Sequence, residues 1–532
     1  MEVMILSYLG PSARCEWGLT AAQESTLTSM VFLGMTLGAP VWGMVSDTWG
    51  RKTSFGLATL FATVFGFATA AAPNFAAMAV FRTLVGFGIP GAVVAFNLLL
   101  ELTPTRLRGM FAVGIEGFWT IGTILQAGFA FGLLNKYGWR LLVVVSTIPY
   151  VVLLLLLPLV PESPRYLLVK GKTEQAQAVL KKLMRVSRAD MPEGQLQPLL
   201  AGDDSSCKVA EDEPKGCGWL LRKLAASAGN VWLALKQMLG PRLWMTTLTL
   251  VFTWMVAAFV YYGLVTLLTH VDFVKGASKQ CINGKLVLPR EDLVGILITS
   301  SAEVPGLLFS LVIVACLGRK LAFALPMVAI AVVLVPLMAG ATGPVVGGIQ
   351  VGVVVCMYLS RFFIYSSFNI LWAMTPEYYP TSIRNFGLGV NNAFSRIGGL
   401  LSPFAAVNAR QDAAWHAAPE AIFAALSLVA GASVLLLPPD KKGKALDDCI
   451  EDVTEVPELQ RRVSSLVHSR AGSSGSSSWQ QGAAAGAGQQ QQQQQQQQRA
   501  AGGAAGVGGV AADEQPQLTE QGSEQVLLQR IM

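Results

Sequence analysis

Apolar residues run in unbroken blocks along the first 438 positions. They follow neither the alternation of a strand nor the spaced stripe of a half-buried helix. The stretch "LLVVVSTIPYVVLLLLLPLV" at 141–160 carries no charge at all. About 20 apolar residues suffice for a helix to cross ~30 Å of hydrocarbon. The blocks predict spans over roughly 1–9, 25–46, 53–72, 76–100, 109–134, 140–160, 243–268, 293–315, 321–340, 348–374, 386–407 and 420–438. The first is a stump and the other eleven are full length. The gap after 160 divides them six and six. The expected organisation is a membrane half at 1–160, a loop at 161–242, a second membrane half at 243–438 and a tail at 439–532. The fold class is therefore all-α polytopic membrane protein. No β-barrel alternation and no cleavable signal peptide are visible.

Connections between the blocks alternate in charge. One set is basic: Arg51 and Lys52, Arg106 and Arg108, the 161–242 stretch, Arg319 and Lys320, Arg384, then Lys441, Lys442 and Lys444. The positive-inside rule places this set, with the long loop and the tail, on the cytosolic side. Composition agrees, with 52% hydrophobic and 14% charged residues, against roughly 25% charged in a soluble chain. The net charge of +6 comes from bases at span ends, so it does not suggest nucleic acid. In the loop, "KTEQAQAVLKKLMRV" predicts a helix with Thr173 as its N-cap. Residues 190–217 read as linker, and 218–240 as an amphipathic segment on the membrane surface. The tail is Gly, Ala and Ser with ten glutamines at 489–498, a composition that cannot build a core and predicts disorder. The seven cysteines are scattered. Their odd number favours free thiols, with Cys15 and Cys281 the two that could share the non-cytosolic side and pair.

An internal repeat follows the span count. Glu101, Pro104, Thr105 and Arg108 after span 4 match Glu377, Pro380, Thr381 and Arg384 after span 10. "WGRK" at 49–52 has a partner in "LGRK" at 317–320, and Arg82 in span 4 has one in Arg361 in span 10. Such repeats mark transporters.

Spans 3, 6, 9 and 12 contain no charge. The charges inside spans are Arg82, Glu116, Glu303, Arg361 and Arg396. A charge in hydrocarbon costs ~2.5–3.5 kcal/mol even on insertion scales, so it faces protein or water. Every third span is thus expected at the lipid, with the others enclosing a polar path. Glu303, Arg361 and Arg396 lie near one depth and could pair across the cavity. Glu116 is alone at its depth, nearer the cytosolic side. A carboxylate without a partner is what a proton-coupling site needs. Trp119, Trp254, Tyr261, Tyr262, Tyr365 and Trp372 could receive an organic cation through their faces, although packing accounts for each one singly.

These residues resemble the major facilitator superfamily. Gly43, Asp47, Gly50, Arg51 and Lys52 fit its loop G-x-x-x-D-x-x-G-R-[RK] between spans 2 and 3. "RTLVGFGIPG" at 82–91 fits its span 4 motif. "PESPRYLL" at 161–168, with Glu162 and Arg165, fits the signature after span 6 in the sugar and organic-ion branches, and "EYYPTSIRNFG" fits the one after span 10. Within it, "CEWGLT", "RTLVGFG", "FVYYGLV" and "LGRK" are similar to the synaptic vesicle-related group, beside the organic cation and anion transporters. The resemblance implies two six-helix halves that alternate access around a midplane site. It also implies that Asp47 and Arg51 clamp one half on the other in one of two states. The plainer reading is a basic turn that fixes topology. Ala315 and Cys316 stand where the family has an acid before "LGRK", which puts a second clamp in doubt.

The expected function is secondary active transport of a small organic solute, an organic ion first, with protons as candidate coupling ion. The alternatives are a sugar or polyol carrier and a non-transporting vesicle membrane protein that keeps the carrier fold. No nucleophile–base set, metal-ligand cluster or cofactor motif appears, so an enzyme is not expected. The expected partners are the solute, protons and the lipid bilayer, with the chain acting as a monomer. The chain opens "MEVMILSYLGPSAR". Nine residues before Gly10 span only ~14 Å as helix. The first span is therefore expected to be incomplete, to lack an upstream acid of the related group, and not to support transport as written; the plainer reading is a wrongly chosen start codon, with the true one upstream.

Overall fold

The computed structural model describes residues 1–103, 108–187, 232–274, 279–282, 284–340, 343–346, 349–380, 383–411 and 416–438. The expected linker at 190–217, most of the 218–240 segment and the 439–532 tail lie outside the described residues. All described helices belong to one compact unit, Met1–Asp448.

The spans run Leu6–Trp17, Ala21–Trp49, Arg51–Ala70, Phe75–Gly88 continued by Gly91–Leu102, Arg108–Tyr137 and Trp139–Leu156 in the first half. In the second half they run Trp244–Leu267, Arg290–Ser301 continued by Glu303–Leu317, Arg319–Met338, Val351–Tyr378, Arg384–Pro403 and Ala418–Ser433. Among the described residues, ten helices are long and apolar enough to cross a membrane. Span 1, with 12 residues, is short. Span 11 carries Asn391, Asn392, Ser395, Arg396 and Ser402 along its length, which lowers its hydropathy.

Two spans break, each beside a proline. Pro90 stands at the break in span 4. In span 8, Pro305 lacks the N–H that would reach back to Ser301. The helix restarts with Glu303 in its first turn, where the positive end of the helix dipole favours a carboxylate.

Span 1 departs from expectation. It was expected to stop at Gly10-Pro11, yet the helix continues to Trp17 and closes on Gly18 at φ +62°. Pro11 leaves the Ser7 carbonyl without its helical donor. The Thr269 hydroxyl donates to that carbonyl at 2.7 Å, so the helix survives its proline.

The ends of the spans define two faces. The turn face carries residues 43–52. The hairpin face carries β1, Gln280–Ile282, paired antiparallel with β2, Lys285–Val287. Cys15 and Cys281 form a disulfide that ties this hairpin to the end of span 1. That corrects the reading of scattered free thiols; Cys316 and Cys356 are free. Helix Thr173–Ser187 begins at Thr173 instead of after it, because the Lys172 carbonyl takes the first helical bond, from Ala176 N at 3.1 Å.

Spans 3, 6, 9 and 12 expose large apolar side chains, among them Leu60, Val64, Val152, Leu155, Val332, Val335, Leu428 and Val429. Spans 2, 4, 5 and 8 expose such side chains too, among them Leu37, Val80, Phe118 and Leu308, so apolar exposure does not single out every third span. A correction applies to the charge-free reading: span 6 carries Arg140 at its start, and span 12 is not without charge. Glu420 sits in its first turn and is buried, and Arg410 neutralises it at 2.8 Å.

Spans 2 and 4 cross with backbones in contact. A Cβ on Gly34 or Gly38 would strike the carbonyls of Thr83 or Phe87, and one on Gly86 would strike that of Val31. Helix approach this close needs glycine on both sides. Gly86→Leu is expected to cost ~1–3 kcal/mol by overpacking, whereas Gly114→Ala, with nothing within 4 Å of the new Cβ, is expected to be neutral. Thermal unfolding of the two purified variants checks this; equal midpoints would refute the crossing.

Candidate functional site

The seam between the halves holds the ionisable residues singled out above. Span 8 presents Glu303 and span 10 presents Arg361, both buried. The Arg361 Nη2 and Nε donate to Glu303 Oε1 at 2.9 and 3.1 Å. Tyr261 of span 7 donates to the same oxygen at 2.8 Å. Glu303 Oε2 is buried and has no partner among the described residues. Three donors on one oxygen and none on the other leave the carboxylate one open acceptor.

The seam is stitched by aromatic hydroxyls. Trp119 of span 5 donates through Nε1 to the Tyr261 hydroxyl at 2.9 Å. Tyr365 of span 10 donates to the Glu116 carbonyl at 3.1 Å, and its hydroxyl pairs with Thr120 Oγ1 at 2.8 Å. Trp254, by contrast, is wholly buried and donates to Thr375 at 2.8 Å, and Trp372 packs edge-on against it. Those two rings are packing. A small cavity beside Arg361 is lined by Ser7, Tyr8, Thr123, Gln126 and Ser300.

Arg396 does not join Glu303, although its depth allowed it. It reaches the Tyr262 hydroxyl and Asn392 Oδ1, both at 3.4 Å. No acid partners it among the described residues. The Glu116 carboxylate likewise has no hydrogen bond or ion pair among them. Arg82 in the first half pairs with Glu2 at 2.8 Å, with both side chains buried. Thr147 donates to the other Glu2 oxygen at 3.1 Å. Span 1 was expected to have lost its charge; Glu2 supplies one.

On the turn face, residues 43–52 close a network inside the first half. Gly50 sits at φ +104°, and a Cβ there would strike the Glu162 carboxylate. Glu162 accepts from Arg51 N at 2.9 Å and Lys52 N at 3.2 Å, capping span 3 with an anion at its positive end. Arg51 pairs with Asp47 at 3.1 Å and lies 3.7 Å from Glu101. Ser163 donates to Glu101, and Tyr166 donates to the Thr48 carbonyl at 2.8 Å. Burial, then the Glu162 charge, raises the Tyr166 pKa, so this hydroxyl remains a donor. Asp47 is 73% exposed and touches nothing in the second half. Gly43 has open space around it. Arg165 is exposed, and the Arg108 side chain lies outside the described residues.

The second half repeats part of this. Arg319 pairs with Glu377 at 2.6 Å, the counterpart of Arg51 with Glu101. Arg384 donates through Nε to the Pro376 carbonyl at 3.0 Å and fastens the end of span 10.

Every hydrogen bond and ion pair between described residues that joins the halves lies at mid-depth or on the hairpin face. Ser29 donates to the Leu400 carbonyl at 2.6 Å and Ser25 to Asn408 at 3.0 Å. The Asn135 side-chain amide bonds both backbone groups of Leu288, at 2.7 and 3.0 Å. Glu24 faces His270 at 3.1 Å. Sequence reasoning missed Glu2, Glu24, His270 and Asn135. For Glu2 the available signal was its place inside the predicted block 1–9, where a charge needs a partner; Glu24 stands one residue before the predicted block 25–46.

A family model described as "Sugar (and other) transporter" matches residues 10–452. The chain is 34% identical to organic cation/carnitine transporter 7 of Arabidopsis thaliana, over 86% of this chain and 92% of that protein. It is 32% identical to the synaptic vesicle 2-related protein of Bos taurus, over 84% and 77% respectively. The inward open conformation of the xylose transporter XylE from E. coli superposes with a TM-score of 0.59 at 17% identity, over 84% and 94%. At that identity the likeness is one of fold.

Removing one partner of a buried ion pair strands the other, at ~3–5 kcal/mol. Glu303→Gln is expected to lower stability by about that amount, and Glu303→Gln with Arg361→Gln is expected to recover most of it. Denaturant unfolding in detergent reads both. A single variant as stable as the original chain would show that the pair carries little.

Proposed function

Since this chain belongs to the sugar (and other) transporter family of the major facilitator superfamily, we propose that it is a secondary active carrier of a small organic ion. It works by alternating access between its two halves. The observation that carries the reading is the state of the seam charges. Arg361 is consumed by Glu303, whereas among the described residues Glu116 and Arg396 have no counter-charge and Glu303 keeps a bare oxygen. An open carboxylate serves proton coupling whatever the solute, but an open arginine beside it has no such use and costs free energy there, which favours a charged solute. The open carboxylate oxygens, with Tyr261, Tyr365 and Trp119 around them, suit an organic cation. Arg396 suits an anionic group on the same solute or on another.

The basic turns place the turn face in the cytosol, with the 161–242 loop and the tail on that side. Among the described residues the bonds between the halves lie at mid-depth and on the hairpin face, and Asp47 and Arg51 pair within the first half; this supports a reading in which the carrier is closed on the hairpin face and the clamp is not engaged. Each copy holds a whole seam, so a monomer is a sufficient unit. A sugar or polyol carrier is the second reading, and the relative matched in fold transports xylose by its title. A non-transporting membrane protein would not need a switchable network at 43–52.

Uptake into proteoliposomes of tetraethylammonium, L-carnitine and D-xylose tests the proposal. Saturable uptake of xylose alone would replace the ion reading with the sugar reading, and no uptake of any organic ion would sink it. In the same vesicles, Glu116→Gln is expected to abolish accumulation driven by a pH gradient while solute exchange continues. A variant that still accumulates would remove Glu116 from proton coupling. Asp47→Asn is expected to slow uptake several-fold with insertion unchanged, because it shifts the balance between two states. Unchanged rates would leave the turn as a topology signal.

A further inference from the structure

Glu24 lies in the first turn of span 2 and its side chain is 1% exposed. A buried carboxylate needs counter-charge. Arg14 of span 1 approaches Oε2 at 3.4 Å, and His270, just past span 7, approaches Oε1 with Nε2 at 3.1 Å. Both Glu24 Oε1 and His270 Nε2 are buried and lack a hydrogen-bond partner among the described residues, so the 3.1 Å approach between them is a charge contact and not a formed hydrogen bond. Gly10 makes the space: a Cβ there would stand 3.1–3.2 Å from the Glu24 side chain. Arg14 and Glu24 belong to the first half and His270 to the second. Among the contacts between described residues that join the halves at this rim, this is the one made by a carboxylate and an imidazole. The others include the Cys15–Cys281 disulfide, the Asn135 clasp on Leu288, and the bonds of Ser25 to Asn408 and of Thr269 to the Ser7 carbonyl.

Other charges near His270 are already engaged. Asp272 and Lys279 pair at 3.2 Å within the same loop, and Arg410 and Glu420 pair at 2.8 Å. Arg14 is a permanent cation. Protonation of the imidazole is therefore the event that changes the charge balance at Glu24.

We infer that Glu24 and His270 form a proton-binding site that latches the two halves on the hairpin face. In the neutral ring Nε2 either turns its lone pair on the carboxylate oxygen or, in the other tautomer, offers it an uncharged N–H. With Nε2 protonated on a cationic ring, the same contact becomes a charge-assisted hydrogen bond inside a buried site. The proton arrives from the hairpin side, at a ring nitrogen that the opening of that face would uncover. Acid on that side then holds the hairpin face shut and keeps the carrier open toward the turn face. The latch is separate from Glu116: it sets which face opens, and it asks for no solute. It goes beyond the carrier proposal and shares with it only the two-state switch.

The test reads the conformational balance of the full chain in nanodiscs. Spin labels go at Ala71 and Ala339, exposed hairpin-face ends of spans 3 and 9, with Cys15 and Cys281 kept and the other cysteines replaced. The proton is the only ligand added. One linked proton changes a population ratio by at most tenfold per pH unit. Between pH 8 and pH 5.5 the short-distance population is expected to gain about fivefold to tenfold over the long one. His270→Gln is expected to stay at the pH 8 ratio throughout, and Glu24→Gln likewise. His270→Arg, a fixed cation, is expected to stay shut at both pH values, which also guards against a misfolded Gln variant. A pH response that persists in His270→Gln overturns the site, and so does an original chain with none. In that last case L-carnitine, tetraethylammonium and D-xylose are added at pH 8. A shift with any of them leaves the carrier reading standing without the latch.

Discussion

The Arg361–Glu303 pair is the constraint around which the second half is arranged. A guanidinium at mid-depth cannot face lipid. Span 8 must therefore bring an acid to it, at one height and on one side. The break before Pro305 does both. It restarts the helix with Glu303 in the first turn, so the carboxylate meets a helix dipole and a guanidinium together. Tyr261 follows, since its hydroxyl finds an acceptor there, and Trp119 follows Tyr261 across the seam. One buried cation thus fixes spans 7, 8 and 10 and the neighbouring wall of span 5.

The first half meets the same demand differently. Arg82 is the repeat counterpart of Arg361, yet its acid comes from Glu2 ahead of span 1 and not from the span that corresponds to span 8. The repeat therefore preserves the problem, a buried arginine near mid-span, and not the solution. On the turn face it preserves more: Arg51 with Glu101 and Arg319 with Glu377 are the same pairing made twice. Surface pairs of this kind are individually weak. Here they also sit at a helix start, where Gly50 and Gly318, both at positive φ, set the chain's entry angle.

Much of this was legible in the chain. Block length gave the spans to within a few residues, because hydropathy acts on each span alone. The turn at 43–52 and the repeat at 377–387 were legible because their spacing is local. What escaped depends on contacts between distant segments. No periodicity shows that Thr269 would rescue the Ser7 carbonyl and carry a helix through Pro11. The span count put Cys15 and Cys281 on one side and allowed the pair that forms, but it could not bring them to bonding distance. Depth alone suggested that Arg396 might join Glu303. Rotation about the helix axis decided otherwise and turned it to Tyr262 and Asn392. Depth is readable from sequence at 1.5 Å per residue; azimuth is set by packing.

The two faces also differ in the kind of contact they use. On the hairpin face the halves are joined by a disulfide, backbone-directed amides and hydroxyls, and one carboxylate–imidazole contact. On the turn face the charges of residues 43–52 are satisfied within their own half. A contact satisfied within one half costs nothing to keep when the halves move. A contact made across halves must be given up. The hairpin-face bonds between the halves are therefore the ones that hold this arrangement, and the turn-face network is what remains ready to exchange partners when it reverses. The Cys15–Cys281 bond is different in kind, because it cannot be exchanged. It ties span 1 to a hairpin on a loop, not to a span of the other half, so opening of that face must be absorbed by the loop between Leu267 and Arg290. His270 stands at the start of that loop, three residues past the end of span 7.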